Sequence, residues 1–448
     1  MTVRLGGPVR RLMPWVTVGS LVLLMAGAAI ASSMTAPRHP AKSAPSSLKL
    51  PAASGTPTSL PTSSEVTSPT LPPTSNTSVS SSTTTVPQQA TTTTVPSSSP
   101  SGTWTVSPEP PNFYGGGAVS CTDPTFCMAI GRPQADDPID LVAAQWEGSE
   151  WSPVPIVSAS TGPWNEITQI ACTSPTFCMA VGNGYGNGTN QKPLSEEWNG
   201  STWSVVPTPG ETGSMNASLQ GVSCVGSTFC VAVGYSTGNV PTGPYNPLVE
   251  LWNGTTWTLS AGPPVQNNEN LSLSSVSCPL STFCVAVSGY EPTGPYNHLI
   301  TTWNGATWST APDPSNGSLV PLDVSCSAPS SCVVVASNGF NSSYVETYNG
   351  STWALFYVTP PLGQLIFLTR VSCSDDGCSA AGSGATLDLM TGGPVAGEQN
   401  SAVVEGSGRN WSNVTTPDIG GLDYLSCASN NWCMAAGPEG FLVRTESG

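Results

Sequence analysis

Fourteen cysteines in seven short-range pairs, a repeat of about fifty residues, and short apolar runs separated by Gly, Pro, Asn and Ser turns predict an all-β fold for residues 102–448: a seven-bladed β-propeller of four-stranded blades. The pairs are Cys121/Cys127, Cys172/Cys178, Cys224/Cys230, Cys278/Cys284, Cys326/Cys332, Cys373/Cys378 and Cys427/Cys433. Their first members lie 51, 52, 54, 48, 47 and 54 residues apart, a spacing of one blade per pair. Gly and Pro number 46 and 44 in 448 residues and charged residues make up 8%, which suits many short strands joined by turns and disfavours long amphipathic helices.

Within a repeat the strands follow in order. Strand a is Leu219 to Cys224, strand b Phe229 to Tyr235, strand c Pro247 to Trp252, and strand d begins at Trp257. Strands c and d are joined by Trp252-Asn253-Gly254-Thr255-Thr256-Trp257, in which Asn-Gly supplies the positive φ angles of a tight hairpin. The same hairpin runs from Trp198 to Trp203, from Trp303 to Trp308 and, with Tyr first, from Tyr348 to Trp353. Small residues just before the first cysteine (Ala171, Ser223, Ser277, Ser325, Ser372, Ser426) suit an inner strand crowded around an axis.

The seventh repeat provides Leu422 to Cys427, Trp432 to Ala436 and Phe441 to Thr445, but no fourth strand. Gly102 to Pro108 matches the d-strand pattern of Gly200 to Pro207, so the N-terminal strand is expected to complete the last blade and close the ring, removing open sheet edges. An array of stacked repeats would instead call for polar caps.

Ahead of the ring, Arg4, Arg10 and Arg11 precede an apolar stretch, residues 12–31, ending in Ala29-Ile30-Ala31. Residues 1–31 read either as a signal peptide cleaved after Ala31 or as an uncleaved membrane anchor, since the apolar stretch is about as long as a bilayer requires. Residues 32–101 are dominated by Ser, Thr and Pro and lack the apolar content to offset ordering entropy, so a disordered stalk spanning roughly 45 Å is expected. The chain is therefore placed outside the cell, secreted or tethered through residues 12–31, and as a monomer.

An oxidising compartment makes the cysteine pairs disulfides across the a-to-b turns. A C-x5-C spacing with only His39 and His298 elsewhere does not suit zinc, and the sequence calls for neither metal nor cofactor. Asp136-Asp137-Pro138-Ile139-Asp140 is the densest acidic cluster, read as a solvated loop before a calcium site. The formal charge of -16 divides unevenly: after residue 102 there are five basic and 26 acidic residues, which excludes a nucleic-acid partner.

In a propeller the d-to-a and b-to-c connections share one face, and here that face has the longer, irregular loops. Aromatics follow strand b at Tyr185, Tyr235, Tyr290 and Phe340, and two blades repeat Thr-Gly-Pro-Tyr-Asn, ending at Tyr245-Asn246 and Tyr296-Asn297. These residues either stack on and hydrogen-bond to sugar rings or fill the gaps between blades. The long blade-six connection, Gly382 to Asn400 with Asp388 and Glu398, is a second candidate. No serine elbow accompanies His298, and no carboxylate pair is marked out by spacing.

The motif Trp-Asn-Gly-x-Thr-Trp after a cysteine-stapled hairpin resembles a group of secreted bacterial repeat proteins frequent in actinobacteria. Gly200-Ser201-Thr202-Trp203 is also similar to half of the Asp-box hairpin of sialidase-type propellers. That resemblance implies a propeller, with any active-site arginines drawn from Arg132, Arg370, Arg409 and Arg444, although the Asp of the box is replaced by Trp198, Trp252 or Trp303 and no nucleophilic Tyr is marked. The function expected is a non-enzymatic extracellular binding module that contacts a glycan, a wall polymer or a protein through its loop-rich face. The alternatives are a sialidase-like glycan-processing enzyme and a structural envelope protein.

Overall fold

The computed structural model describes residues 102–133, 141–156, 165–185, 190–210, 214–238, 244–264, 270–288, 299–338, 342–429 and 431–446. The apolar segment 12–31, the stalk and the Asp136 to Asp140 cluster lie outside the described residues. Among the described residues no helix is long and apolar enough to cross a membrane.

Among the described residues, twenty-eight strands form seven four-stranded antiparallel sheets, the blades of a propeller. Blade three shows the repeat: Ala217–Cys224 (a), Cys230–Ser236 (b), Asn246–Trp252 (c) and Trp257–Ser260 (d). Blade seven takes Tyr424–Ser429, Trp432–Gly437 and Gly440–Glu446 from the C-terminal end and Gly102–Val106 as its outer strand. Thr103 pairs with Thr445 and Trp104 with Arg444, so the expected closure forms in antiparallel register.

All seven cysteine pairs are disulfides between strands a and b: Cys121–Cys127, Cys172–Cys178, Cys224–Cys230, Cys278–Cys284, Cys326–Cys332, Cys373–Cys378 and Cys427–Cys433. In six blades the two cysteines are direct cross-strand partners, and in the fourth, where the ladder shifts between Ser277 and Leu280, Cys278 and Cys284 still lie 4.1 Å apart at Cα. The cysteines are staples of the fold, and Cys172 and Cys224 also lie along the wall of the central cavity. The strand-b members Cys127, Cys178, Cys230, Cys284, Cys332, Cys378 and Cys433 are all buried, packed into the apolar interfaces between blades. Of the strand-a members, Cys121 and Cys278 are buried too, whereas Cys172, Cys224, Cys326, Cys373 and Cys427 keep some exposure. Each bridge closes a loop of about seven residues, worth about 2 kcal/mol in the chain-entropy model.

The hairpin between strands c and d sits over the same turn. The indoles of Trp146, Trp198, Trp252 and Trp303 donate to the carbonyls of Pro124, Pro175, Ser227 and Ser281 in the a-to-b turns of their own blades. The hairpin geometry departs from the expected one. Only the glycine is left-handed, at φ 92° for Gly200 and 96° for Gly254, while Asn199 and Asn253 are not. Glycine thus occupies the first central position, as in a II′-type turn, and the asparagine precedes it. Asn199 Oδ1 accepts from the Ser201 and Thr202 amides, both at 3.0 Å, so the side chain closes the turn that its backbone was expected to bend.

Aromatic pairs of one blade pack on strand b of the preceding blade. Trp198 and Trp203 meet Phe126, Met128 and Ile130; Trp252 and Trp257 meet Phe177, Met179 and Val181. Across the closure Trp104 packs against Ala381 and Val403. The core is thus a ring of seven interfaces rather than one centre.

Around the axis the small residues do more than save space. Ser120 Oγ accepts from the Cys172 amide, and Ser223, Ser277, Ser325, Ser372 and Ser426 accept from the amides of Cys278, Cys326, Cys373, Cys427 and Cys121, each at 2.9 Å. Each bond joins a blade to the next, and the series is interrupted only where Ala171 offers no hydroxyl to blade three. Ala171→Ser is expected to add one such bond and raise stability by about 1 kcal/mol, and Ser277→Ala to lower it by about 1–3 kcal/mol through the orphaned Cys326 amide. Denaturant unfolding checks both, and an Ala171→Ser variant no more stable than the parent would refute the account.

Candidate functional site

Strand a of blades two to six carries a register shift just ahead of its axial end, at Ile167/Gln169, Leu219/Gly221, Leu273/Ser275, Pro321/Asp323 and Leu368/Arg370. A bulge bends its strand and re-aims the residues beside it. Three of the extra residues clasp the next blade: Thr168 Oγ1 donates to Leu219 O at 2.9 Å, Ser274 Oγ to Leu322 O at 3.3 Å and Thr369 Oγ1 to Leu422 O at 3.2 Å.

The next residue, three before the first cysteine, differs in every blade: Ala118, Gln169, Gly221, Ser275, Asp323, Arg370 and Tyr424. Six of the seven line a central cavity of about 220 Å³, whose wall below them is the serine ring. Asp323 is buried, with Oδ1 accepting from Ser275 Oγ at 2.6 Å and Oδ2 from the Val371 amide at 2.8 Å, so blade five is tied to blades four and six. Burial raises its pKa, opposed by the Arg370 charge and by these hydrogen bonds.

Arg370 Nη1 donates to Thr369 O at 3.0 Å, and its guanidinium lies 5.7 Å from the centre of the Tyr424 ring. Burial also raises the pKa of the Tyr424 phenol, while Arg370 and Arg132 pull it down and Glu166 and Asp423 add to the rise. Arg132 and Glu166 form an ion pair at 3.5 Å with both side chains half-exposed.

Of the four arginines open to an enzyme reading, Arg370 lines the channel, while Arg132 lies outside its lining, paired with Glu166. Arg444 is fully buried against Glu405, and Arg409 lies 5.6 Å from the centre of the Phe356 ring. The three-arginine constellation implied by the sialidase resemblance does not assemble from these residues.

The aromatic candidates gather at blades two and three. Tyr235 OH donates to Gln191 Oε1 at 2.9 Å, its ring meets Tyr245 edge-on at 4.7 Å, and Tyr185 is the cross-strand partner of Gln191. Asn246 is exposed beside them, its Nδ2 donating to Pro244 O at 3.4 Å. Tyr185, Tyr235 and Tyr245 are half-buried, so this cluster bridges two blades while keeping an exposed edge. Tyr290, Tyr296, Asn297 and Phe340 lie outside the described residues.

The blade-six connection is ordered by its own carboxylates. Asp388 accepts from the Met390 amide and from Thr391 Oγ1, both at 2.9 Å, and Glu398 accepts from the Thr386 amide at 3.0 Å. These bonds hold both carboxyls below their ordinary pKa and leave Leu389 and Met390 exposed at the tip.

The channel layer was missed in the sequence because its members are about fifty residues apart. The signal was present: aligned on the first cysteine, the column one residue earlier is nearly all serine, whereas the column three residues earlier is different in each repeat.

No family model matches the chain, and no curated protein matches it in sequence. Among solved structures, that of streptogramin B lyase aligns over 77% of this chain and 98% of its own at 8% identity and a TM-score of 0.50. YCF48 from Cyanidioschyzon merolae aligns over 77% and 98% at 13% identity and a TM-score of 0.48. An Aleuria aurantia lectin complex with Fucalpha1-6GlcNAc aligns over 69% and 97% at 11% identity and 0.44. At 8% identity the likeness to the lyase is one of fold alone.

Proposed function

We propose that this chain is a non-enzymatic extracellular binding module, carried on a stalk, that takes a glycan or wall polymer at its loop-rich face and the mouth of its central channel. One observation carries the reading. The blades repeat their disulfides, hairpins and axial serines, yet one layer of the cavity wall is different in each blade that contributes to it, which is how a repeated scaffold acquires one asymmetric site. Seven disulfides support an oxidising environment, which is what export through residues 1–31 would supply. Tyr185, Tyr235, Tyr245 and Asn246 supply an aromatic and amide patch on the same face for the more distant sugars.

The rival reading, a sialidase-like enzyme, draws on Tyr424 lying within the fields of Arg370, Glu166 and Arg132. A nucleophilic phenol must lose its proton readily, and the enclosure of Tyr424 moves its pKa in the opposite direction. The exported protein is expected to be retained on an array of glycans and bacterial wall polymers without product release, and Tyr424→Ala to weaken retention at least about tenfold. Product release would favour the enzyme, and retention on no surface would remove the glycan reading.

A further inference from the structure

We infer that Arg370 makes the central channel a receptor for a carboxylate carried on the terminal sugar of a glycan; this inference rests on the binding reading above. Among the described residues Arg370 makes no ion pair, and its buried Nε has no hydrogen-bond partner. Arg132, which lies outside the cavity lining, is engaged by Glu166. Asp323, the acid facing Arg370 from blade five, has both oxygens occupied by Ser275 and Val371.

Arg370 is partly buried, and the acids in its field, Asp323 and Asp423, lie beyond ion-pair distance, so its planar fork stays open to a carboxylate through two parallel N–H···O bonds. Thr369 O and the Tyr424 ring hold that fork in one orientation. The Tyr424 face also offers an apolar surface to the C–H groups of a sugar ring.

The remainder of the lining identifies the carrier. Each axial serine accepts one bond from a cysteine amide and keeps its O–H proton for the channel, and the Gln169 amide makes no hydrogen bond among the described residues. Such a ring of hydroxyl and amide donors suits a polyhydroxylated ligand better than an apolar peptide side chain. At about 220 Å³ the cavity is smaller than the roughly 300 Å³ at which ordinary ligand pockets begin, so it takes one terminal ring while the rest of the chain lies on the face.

The test uses the full exported protein and oligosaccharides ending in glucuronic, galacturonic or N-acetylmuramic acid, each beside its carboxyl-reduced counterpart. At least one acid is expected to bind about 30-fold more tightly than its reduced form, an advantage lost in Arg370→Gln and partly kept in Arg370→Lys. The comparison on the unaltered protein needs no variant to fold. Equal binding of acid and reduced forms overturns this inference and leaves the glycan reading intact, whereas binding of neither overturns both. An Arg370→Gln variant that is folded by circular dichroism and still prefers the acid also overturns it.

Discussion

Glu405→Ala is expected to destabilise the propeller by about 3–5 kcal/mol, the largest effect of any single substitution considered. Glu405, on strand c of blade six (Asn400–Ser407), reaches across the ring closure to two strands of blade seven. Its Oε1 accepts from the Trp104 indole at 3.1 Å and lies 2.6 Å from Arg444 Nε, and its Oε2 accepts from Arg444 Nη2 at 3.0 Å. The two charged side chains are 6% and 0% exposed, so removing the carboxylate leaves a desolvated guanidinium at the seam where the ends of the ring meet. The pair itself need not be strongly favourable, because the desolvation of both ions opposes their attraction. Replacing both, as Glu405→Leu with Arg444→Met, is therefore expected to recover most of the loss. Denaturant unfolding of the single and double variants checks this, and a single variant unfolding within about 0.5 kcal/mol of the parent would contradict it.

Stability is also expected to fall steeply as pH rises from 5 to 8.5. Glu196, Glu250 and Glu346 stand two residues before the hairpin aromatic in blades two, three and five, buried between blades. Both Glu196 carboxyl oxygens lack a hydrogen-bond partner, as does one oxygen each of Glu250 and Glu346. Desolvation pushes Glu196 and Glu346 from 4.5 to about 8 and Glu250 to about 7, the latter eased by a bond from the Gly210 amide at 3.1 Å.

A glutamate in the unfolded chain releases its proton near 4.5, whereas these three keep theirs in the fold. Their contribution is complete below about 4.5 and is lost as pH climbs through the folded values of about 7 to 8. The upper limit is about 1.4 kcal/mol per pH unit for each retained proton, so even half of it totals several kcal/mol across the window. The groups with depressed pKa, Asp123, Asp388 and Glu398, act in the opposite sense but only at pH values below their ordinary ones, outside this range. Melting temperatures should differ by about 10 °C between pH 5 and pH 8.5, and the triple Glu→Gln variant should remove most of that difference. An unchanged slope in the triple variant would assign the dependence elsewhere.

These glutamates also revise the reading of charge. The sequence counts 26 acidic against five basic residues after residue 102, but three of the acids face blade interfaces as neutral groups at moderately acid pH. Sequence alone could not separate them from solvated acids, since burial depends on the neighbouring blade. The Asn-Gly hairpin shows the same limit at short range. The dipeptide located the turn correctly, but the side-chain acceptor of Asn199 moved glycine into the first central position and left asparagine outside it.

What the sequence determined by itself was everything that repeats locally: blade number, strand order, disulfide partners and the N-terminal strand that closes the ring. The first three follow from interactions within about fifty residues, where spacing and turn chemistry act directly; the closing strand pairs at long range, with Gly102–Val106 beside Gly440–Glu446, and was legible because it carries the d-strand pattern of the repeats. Tertiary structure alone decided that Gln169, Ser275, Asp323, Arg370 and Tyr424 face one cavity, that Arg444 is a seam and not a site, and that each axial serine bonds the next blade. The reason is geometric: residues from seven distant repeats become neighbours only when the ring closes on its axis, so a column that varies between aligned repeats becomes a site only through that closure.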